Sequence, residues 1–246
     1  MKFNIITLFP EIFKPYLETG PVRKAIELGQ INVETYNLRD FAPSPKEVDD
    51  YPFGGFSGMV LKIGPIQKVL NSISDPGFVV LPSPQGKILN QKIVEDLAEK
   101  NVITVICGRY KGIDERIMKF VDLELSCGDY ILSGGEILAL ILIDAISRLK
   151  EGTLGDKDSC LTDSIISSIL DAPYYTRPRS FMGEKIPEVL VSGDHAKVAK
   201  WARKEALRRT VLKRPELLYS ADLTKEDAKI LKEIEEEAKN GRNQRD

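Results

Sequence analysis

The sequence predicts an α/β protein, with a mostly parallel sheet in roughly its first 150 residues and a small, mostly helical second domain. Three observations carry this. Short apolar runs rich in β-branched residues alternate with helix-like segments up to Lys150. Residues 151–172 are rich in Gly, Asp, Ser and Thr and poor in large apolar side chains, as linkers are. Beyond them the pattern is helical and cations cluster. The boundaries drawn are a first domain at 1–155, a linker at 156–171 and a second domain at 172–246.

The elements follow in order. Phe3 to Leu8 reads as a short buried strand, ended by Pro10. Glu11 to Glu27 reads as helix, interrupted near Gly20-Pro21. Ile31 to Tyr36 alternates with period two and reads as a second strand. Phe78 to Leu81 and Val102 to Cys107 are continuous apolar runs, which suit strands buried on both faces. The segment between them, Gln91 to Glu99, reads as helix. So does Ile137 to Leu149, whose most lipid-like run, Ile137 to Ile143, is too short and too soon followed by Asp144 to cross a bilayer. In the second part Val189-Leu190-Val191 reads as a short strand. Helices are expected from His195 to about Lys213 and from Lys225 to about Asn240, the latter capped by Thr224.

Bulk properties exclude more than they assign. A formal net charge of −2 gives no global argument for nucleic acid, so any such argument must be local. Three cysteines without a Cys-x-x-Cys pair argue against a disulfide framework or a zinc site and fit a reducing cytoplasm. The N-terminus enters an apolar strand at once and lacks a signal-peptide layout. A cytoplasmic protein without membrane partners is expected.

One local asymmetry stands out. Lys197, Lys200, Lys204 and Arg208 fall at helical spacing, with Arg203, Arg209, Lys213 and Arg214 nearby and Glu205 the one acid between His195 and Arg214. Solvated helix faces usually mix signs, so this excess reads as a phosphate-backbone surface. The acids of Glu233 to Glu237 read as solvent-facing.

Four polar or glycine-rich loops punctuate the first part: Asp49 to Met59, Pro82 to Gly86, Cys107 to Arg116, and Ser126 to Glu136. Loops after parallel strands meet at one sheet edge, where ligands bind. The last of these, Ser126 to Glu136, carries neither a P-loop nor a dinucleotide fingerprint.

Taken together the segments resemble the bacterial tRNA (guanine-N1)-methyltransferase family. The match runs collinearly through Leu8-Phe9-Pro10-Glu11, Ser83-Pro84-Gln85-Gly86, Cys107-Gly108-Arg109-Tyr110 with Gly112-Ile113-Asp114-Glu115-Arg116, and Gly128 to Glu136. It continues through Tyr175-Thr176-Arg177-Pro178, Ser192-Gly193-Asp194-His195 and Arg214-Pro215-Glu216-Leu217-Leu218. The resemblance implies a trefoil knot of the SPOUT methyltransferase class in the first domain, an exception to the rule that chains do not thread loops. It implies S-adenosylmethionine as methyl donor, tRNA as partner, and a homodimer with an active site shared by both subunits. The target would be N1 of the guanosine 3′ to the anticodon.

By the same resemblance the donor would be held by Leu81, Pro82, Ser83, Pro84, Gly108, Tyr110, Ser126, Cys127, Gly128, Asp129, Tyr130, Ile131, Leu132, Gly134 and Gly135. Asp49, Ser159 and Asp171 would hold the guanine, and from the clustered charge rather than the resemblance Lys200 and Lys204 would meet the RNA backbone. Asp163 matches the family's base and Arg148 an arginine near the target base and donor. The chemistry agrees with these types: attack by N1 needs a base for its proton and a cation where charge builds on O6. The lone His195 sits beside the basic helix, so a carboxylate is the better base. The resemblance leaves room for Mg²⁺, and no ligand cluster in the sequence marks a site for it. Three departures from the family pattern are Lys111 in place of Glu, Leu81-Pro82 in place of Tyr-Leu, and Phe56-Ser57 in place of Gly-Pro. Two other readings stay open: a knotted RNA methyltransferase with a different target, and a tRNA-binding protein without catalysis.

Overall fold

The computed structural model describes residues 1–154, 165 and 168–242. The chain divides into two compact units, Met1–Lys157 and Asp158–Asp246.

The first unit contains strands β1 (Lys2–Thr7), β2 (Asn32–Asn37), β3 (Asp49–Asp50), β4 (Val60–Leu61), β5 (Phe78–Ile88), β6 (Val102–Ile106) and β7 (Leu123–Ser126). Its helices are α1 (Lys14–Leu17), α2 (Gly20–Glu27), α3 (Ile63–Ser72), α4 (Gln91–Ala98) and α5 (Glu136–Arg148). Five strands form one sheet in the order β2-β1-β6-β5-β7, every neighbouring pair parallel. Strand periodicity explains the layering. Phe3 and Ile5, Val80, and Ile103 and Val105 point to one face, where α2, α4 and α5 cover them. Ile6, Val79, Leu81 and Ile106 point to the other, where Ile66, Val69 and Leu70 of α3 pack. Each fully buried Ile or Val side chain contributes about 2 kcal/mol. That is why continuous apolar runs, rather than alternating ones, signal these strands. Buried polar residues pair across strands: Asn4 Nδ2 donates to Thr104 Oγ1 at 3.3 Å.

Among the elements with no counterpart in the sequence reading, α3 and β7 matter most. Gly64-Pro65 at the start of α3 resembles a turn, but proline in a first helical turn removes no intrahelical hydrogen bond. The four residues of β7, with Glu124 among them, are too short for a clear apolar run. A third difference is a correction. Val189–Val191 is not a strand but part of a 3₁₀ turn, Glu188–Val191. Pro187 leads into it, and its carbonyl accepts from Leu190 N–H at 3.1 Å, so the segment satisfies itself locally.

The second unit holds a small hairpin, β8 (Ser180–Phe181) with β9 (Glu184–Lys185), and helices α6 (His195–Lys213) and α7 (Lys225–Arg242). Its core is Ile169, Ala206, Leu207, Ile230 and Ile234. Ile169 therefore belongs to this core rather than to a linker ending at 171, and Leu170 N–H donates to Thr210 Oγ1 at 2.9 Å. Most of the expected linker lies outside the described residues.

Thr224 caps α7 as expected: its hydroxyl accepts Asp227 N–H at 3.1 Å, while Asp227 Oδ2 accepts Thr224 N–H at 2.8 Å. Asp227 is also bidentate with Arg203, at 2.8 and 2.9 Å, with its side chain only 2% exposed. The Arg203 guanidinium and the Thr224 donors hold the Asp227 carboxyl far below the usual carboxylate range. A depressed folded value stabilises the unit above the ordinary carboxylate pKa, and that stability is lost as pH falls. Asp227→Asn should cost about 2–3 kcal/mol at neutral pH and flatten the acid limb of the unfolding midpoint. Trp201, the single tryptophan and part of α6, reports this by fluorescence.

Candidate ligand-binding site

The site begins with a buried charge. Glu136, the first residue of α5, is 1% exposed. A carboxylate at a helix N-terminus is favoured by the macrodipole, and burial demands more partners than that. They come from other elements. Thr7 Oγ1, at the end of β1, donates to Glu136 Oε1 at 2.8 Å. Arg109, in the loop after β6, donates from Nε to the same oxygen at 3.1 Å. Arg109 Nη2 lies 3.0 Å from Glu136 Oε2 as an ion pair outside hydrogen-bond alignment. The guanidinium also covers the Phe9 ring, 4.4 Å from its centroid. One buried carboxylate thus ties together the ends of β1 and β6 and the start of α5.

Backbone bonds complete the tie. Gly135 N–H donates to Gly108 C=O at 3.0 Å, and Arg109 bridges to Gly134. Glycine is needed here because a Cβ at Gly135 would stand 2.9 Å from Pro82 Cβ and 3.0 Å from Cys107 Cα. The loops after β5, β6 and β7 therefore converge at the carboxyl edge of the parallel sheet. The Asp49–Met59 loop is strapped on beside them: Lys111 N–H donates to Met59 C=O and Leu61 N–H to Gly112 C=O, each at 3.0 Å.

These four loops enclose a cavity of about 750 Å³. The expected residues Pro82, Ser83, Pro84, Gly108, Tyr110, Ser126, Cys127, Gly128, Tyr130, Ile131, Leu132, Gly134 and Gly135 line it. Two expected residues do not. Leu81 alternates to the far face of β5 and is buried against α3, and Asp129 is exposed. The lining also includes Gly58, Met59, Arg109, Lys111, Leu125 and Leu138, which the expected donor-binding set omits. The Arg109–Glu136 pair was findable, as opposite charges in two loops both placed at one sheet edge.

The electrostatics are specific. The Cys107 thiol is pushed well up, first by burial and then by Glu136, so it is no thiolate. The Cys127 carbonyl accepts from the Tyr130 hydroxyl at 3.0 Å, so its backbone is engaged. Burial, then a hydrogen bond to Asp49, raises the Tyr110 hydroxyl above its ordinary value. Tyr110 therefore links Asp49, expected at the guanine, to the cavity wall.

Other expected residues are not gathered here. Arg148 closes α5 at the end opposite Glu136, about 18 Å away at 1.5 Å per residue, so one chain does not bring it to the cavity. In the second unit, the Asp171 carbonyl accepts from Arg209 at 3.2 Å. Lys200 lines a smaller hollow of about 470 Å³ with Arg203 and Glu226. Lys204 is paired with Glu233 at 3.1 Å and Glu237 at 3.0 Å, and Arg208 with Glu237 at 2.7 Å. The acids of α7 thus partly neutralise the basic helix instead of facing water alone. Ser159 and Asp163 lie outside the described residues. Among the described residues no cluster of His, Cys, Asp and Glu could hold a metal, and no helix is long and apolar enough to cross a membrane.

A glycine-bounded cavity at the carboxyl edge of a parallel sheet marks an α/β ligand-binding protein. Comparison with known proteins is more specific. Residues 1–220 match the family described as tRNA (Guanine-1)-methyltransferase TrmD, and the chain belongs to that family. It is 47% identical to a tRNA (guanine-N(1)-)-methyltransferase of Dictyoglomus turgidum, over 96% of this chain and 98% of that protein. A protein of the same name from Syntrophomonas wolfei is 45% identical, over 95% and 97%. One from Citrifermentans bemidjiense is 44% identical, over 96% of each chain.

Proposed function

We propose that this protein methylates N1 of the guanosine 3′ to the anticodon of tRNA, with S-adenosylmethionine as donor. The observation that carries the reading is that the loops matching the family's motifs are those that enclose the cavity. The residues present fit the donor. The volume lies within the range of small-ligand sites, and the wall is glycine-rich and largely apolar with a few polar groups. When bound, S-adenosylmethionine supplies an electrophilic methyl on a sulfonium. Gly108, Gly134 and Gly135 let backbone approach it, while Tyr130, Ile131 and Leu132 offer it an apolar wall on one side. The loops would be held by a trefoil knot, and their tethering to Glu136 and Arg109 supports a preformed site.

The chain's own groups then handle the guanine. Asp49, oriented by Tyr110, accepts from the base edge, together with Ser159 and Asp171. Asp163 takes the N1 proton and Arg148 balances charge developing on O6. Because Arg148 closes the far end of α5, this reading needs a homodimer in which the partner's Arg148 serves the cavity. The exposed pair Ile137 and Ile141, one turn apart on α5, supports an apolar contact there.

The second unit would hold the tRNA. With Lys204 tied to two glutamates, Lys200 becomes the better phosphate contact on that face. Lys200→Gln should weaken tRNA binding a few-fold and lower the slope of log affinity against log salt by about one. An unchanged slope in filter-binding titrations would place the phosphates on another surface. The function itself is tested with isotopically labelled donor and a tRNA transcript. Label should enter that transcript and not one carrying adenosine 3′ to the anticodon. Equal labelling of both would refute the target.

A further inference from the structure

The cavity lining carries two cations, and they differ. Arg109 is neutralised by Glu136. Lys111 has no ion-pair or hydrogen-bond partner for its ammonium among the described residues. Its position is nonetheless built. The backbone N–H is bonded to Met59 C=O at 3.0 Å. The aliphatic stem lies across Gly58 so closely that a Cβ there would stand 2.7 Å from Lys111 Cγ and 3.3 Å from Cε. Lys111 is exposed overall, but contact with Gly58 on one side of the stem removes part of its rotamer freedom before any ligand arrives, so an anion at Nζ meets a partly preorganised partner.

We propose that the Lys111 ammonium is the anion-recognising group of this cavity, and that it takes the α-carboxylate of the donor's amino-acid moiety. The inference rests on the donor reading above. Chemistry selects the contact: the α-carboxylate is the one anionic group of S-adenosylmethionine, and its sulfonium would be repelled by an ammonium. Lys111 therefore fixes the donor end for end, with its amino-acid tail toward the Asp49–Met59 loop and its adenosyl group toward the glycines after β7. An RNA phosphate is the competing anion. Lys111 belongs to the cavity wall and its stem lies against Gly58, which lines the same cavity, and this favours the small ligand.

Calorimetry on the full chain tests this with two probes, S-adenosylmethionine and its decarboxylated analogue. Charge-assisted hydrogen bonds of this kind are worth roughly tenfold to a hundredfold in affinity. Lys111→Gln, which keeps most of the stem, should weaken S-adenosylmethionine by about tenfold or more. It should not weaken the decarboxylated analogue, whose tail keeps only an ammonium that Lys111 would repel, and Lys111→Arg should retain most of the affinity for S-adenosylmethionine. Equal losses for both probes, or no loss for either, would overturn the assignment. So would unchanged binding of S-adenosylmethionine with weaker, less salt-dependent tRNA binding, which would make Lys111 a phosphate contact. If the wild-type protein binds neither probe, the donor reading itself fails, an outcome distinct from a failure of Lys111 alone.

Discussion

Arg109→Ala is expected to destabilise the first unit by about 3 kcal/mol and to weaken ligand binding in the cavity by at least about tenfold. The stability loss follows from what remains. Glu136 is 1% exposed, and without the guanidinium its carboxylate keeps, among the described residues, the Thr7 hydroxyl and the helix dipole. Breaking a buried pair by removing one partner typically costs about 3–5 kcal/mol, and the lower end fits because Arg109 keeps 20% exposure. The binding loss has a separate origin. Arg109 anchors the loop after β6, and through Gly134 that loop holds the loop after β7. Freeing either adds ordering entropy to every binding event. A double-mutant cycle separates the two causes. Adding Glu136→Gln to Arg109→Ala removes the stranded charge, so the double variant should be less destabilised than the sum of the singles. It should not recover ligand affinity, because the anchor is still missing. Circular dichroism melts and calorimetry on the full chain measure both quantities. Strict additivity would show that the two side chains are not coupled.

Asp163→Asn is expected to lower methyl transfer by about 10²–10⁴, the usual contribution of a placed general base, while donor affinity stays within about twofold. The asparagine keeps size and hydrogen-bonding shape but cannot take a proton. A binding role would instead raise KM or weaken the donor with kcat preserved. Single-turnover rates with saturating tRNA, compared with donor calorimetry, make the distinction. Activity within a few-fold of the wild-type protein would move the base elsewhere, with Asp49 the next carboxylate to test.

The fold was legible where burial dictates composition. Strands β1, β5 and β6 lie inside the sheet with both faces covered, and their continuous Ile and Val runs announce it. Element ends were legible where a cap has a chemical signature, as at Thr224. Local signals failed where a longer-range partner decides. β7 exists because β5 pairs with it, and nothing inside four residues says so. Glycine and proline in the first turn of α3 look like a break until the turn is seen to be a helix start. Val189–Val191 has strand composition but takes the 3₁₀ turn that follows Pro187.

The candidate site divides the same way. Its glycine-rich walls were legible as motifs. The charge relations were harder to read, because each depends on a residue remote in sequence: Glu136 needs Thr7 and Arg109, of which only the opposite charges at one sheet edge gave a signal, and Lys204 needs Glu233 and Glu237. The basic face of α6 illustrates the consequence. Counting charges along the helix overstates the cations free to meet phosphate, since a second helix supplies counter-charges.

The central claim is the atom that receives the methyl group. The direct measurement is nucleoside mass spectrometry of a tRNA transcript after incubation with the protein and isotopically labelled S-adenosylmethionine. A single labelled product, 1-methylguanosine from the residue 3′ to the anticodon, is predicted. Label recovered as a ribose 2′-O-methyl nucleoside, or as a base methylated at another atom, would contradict it.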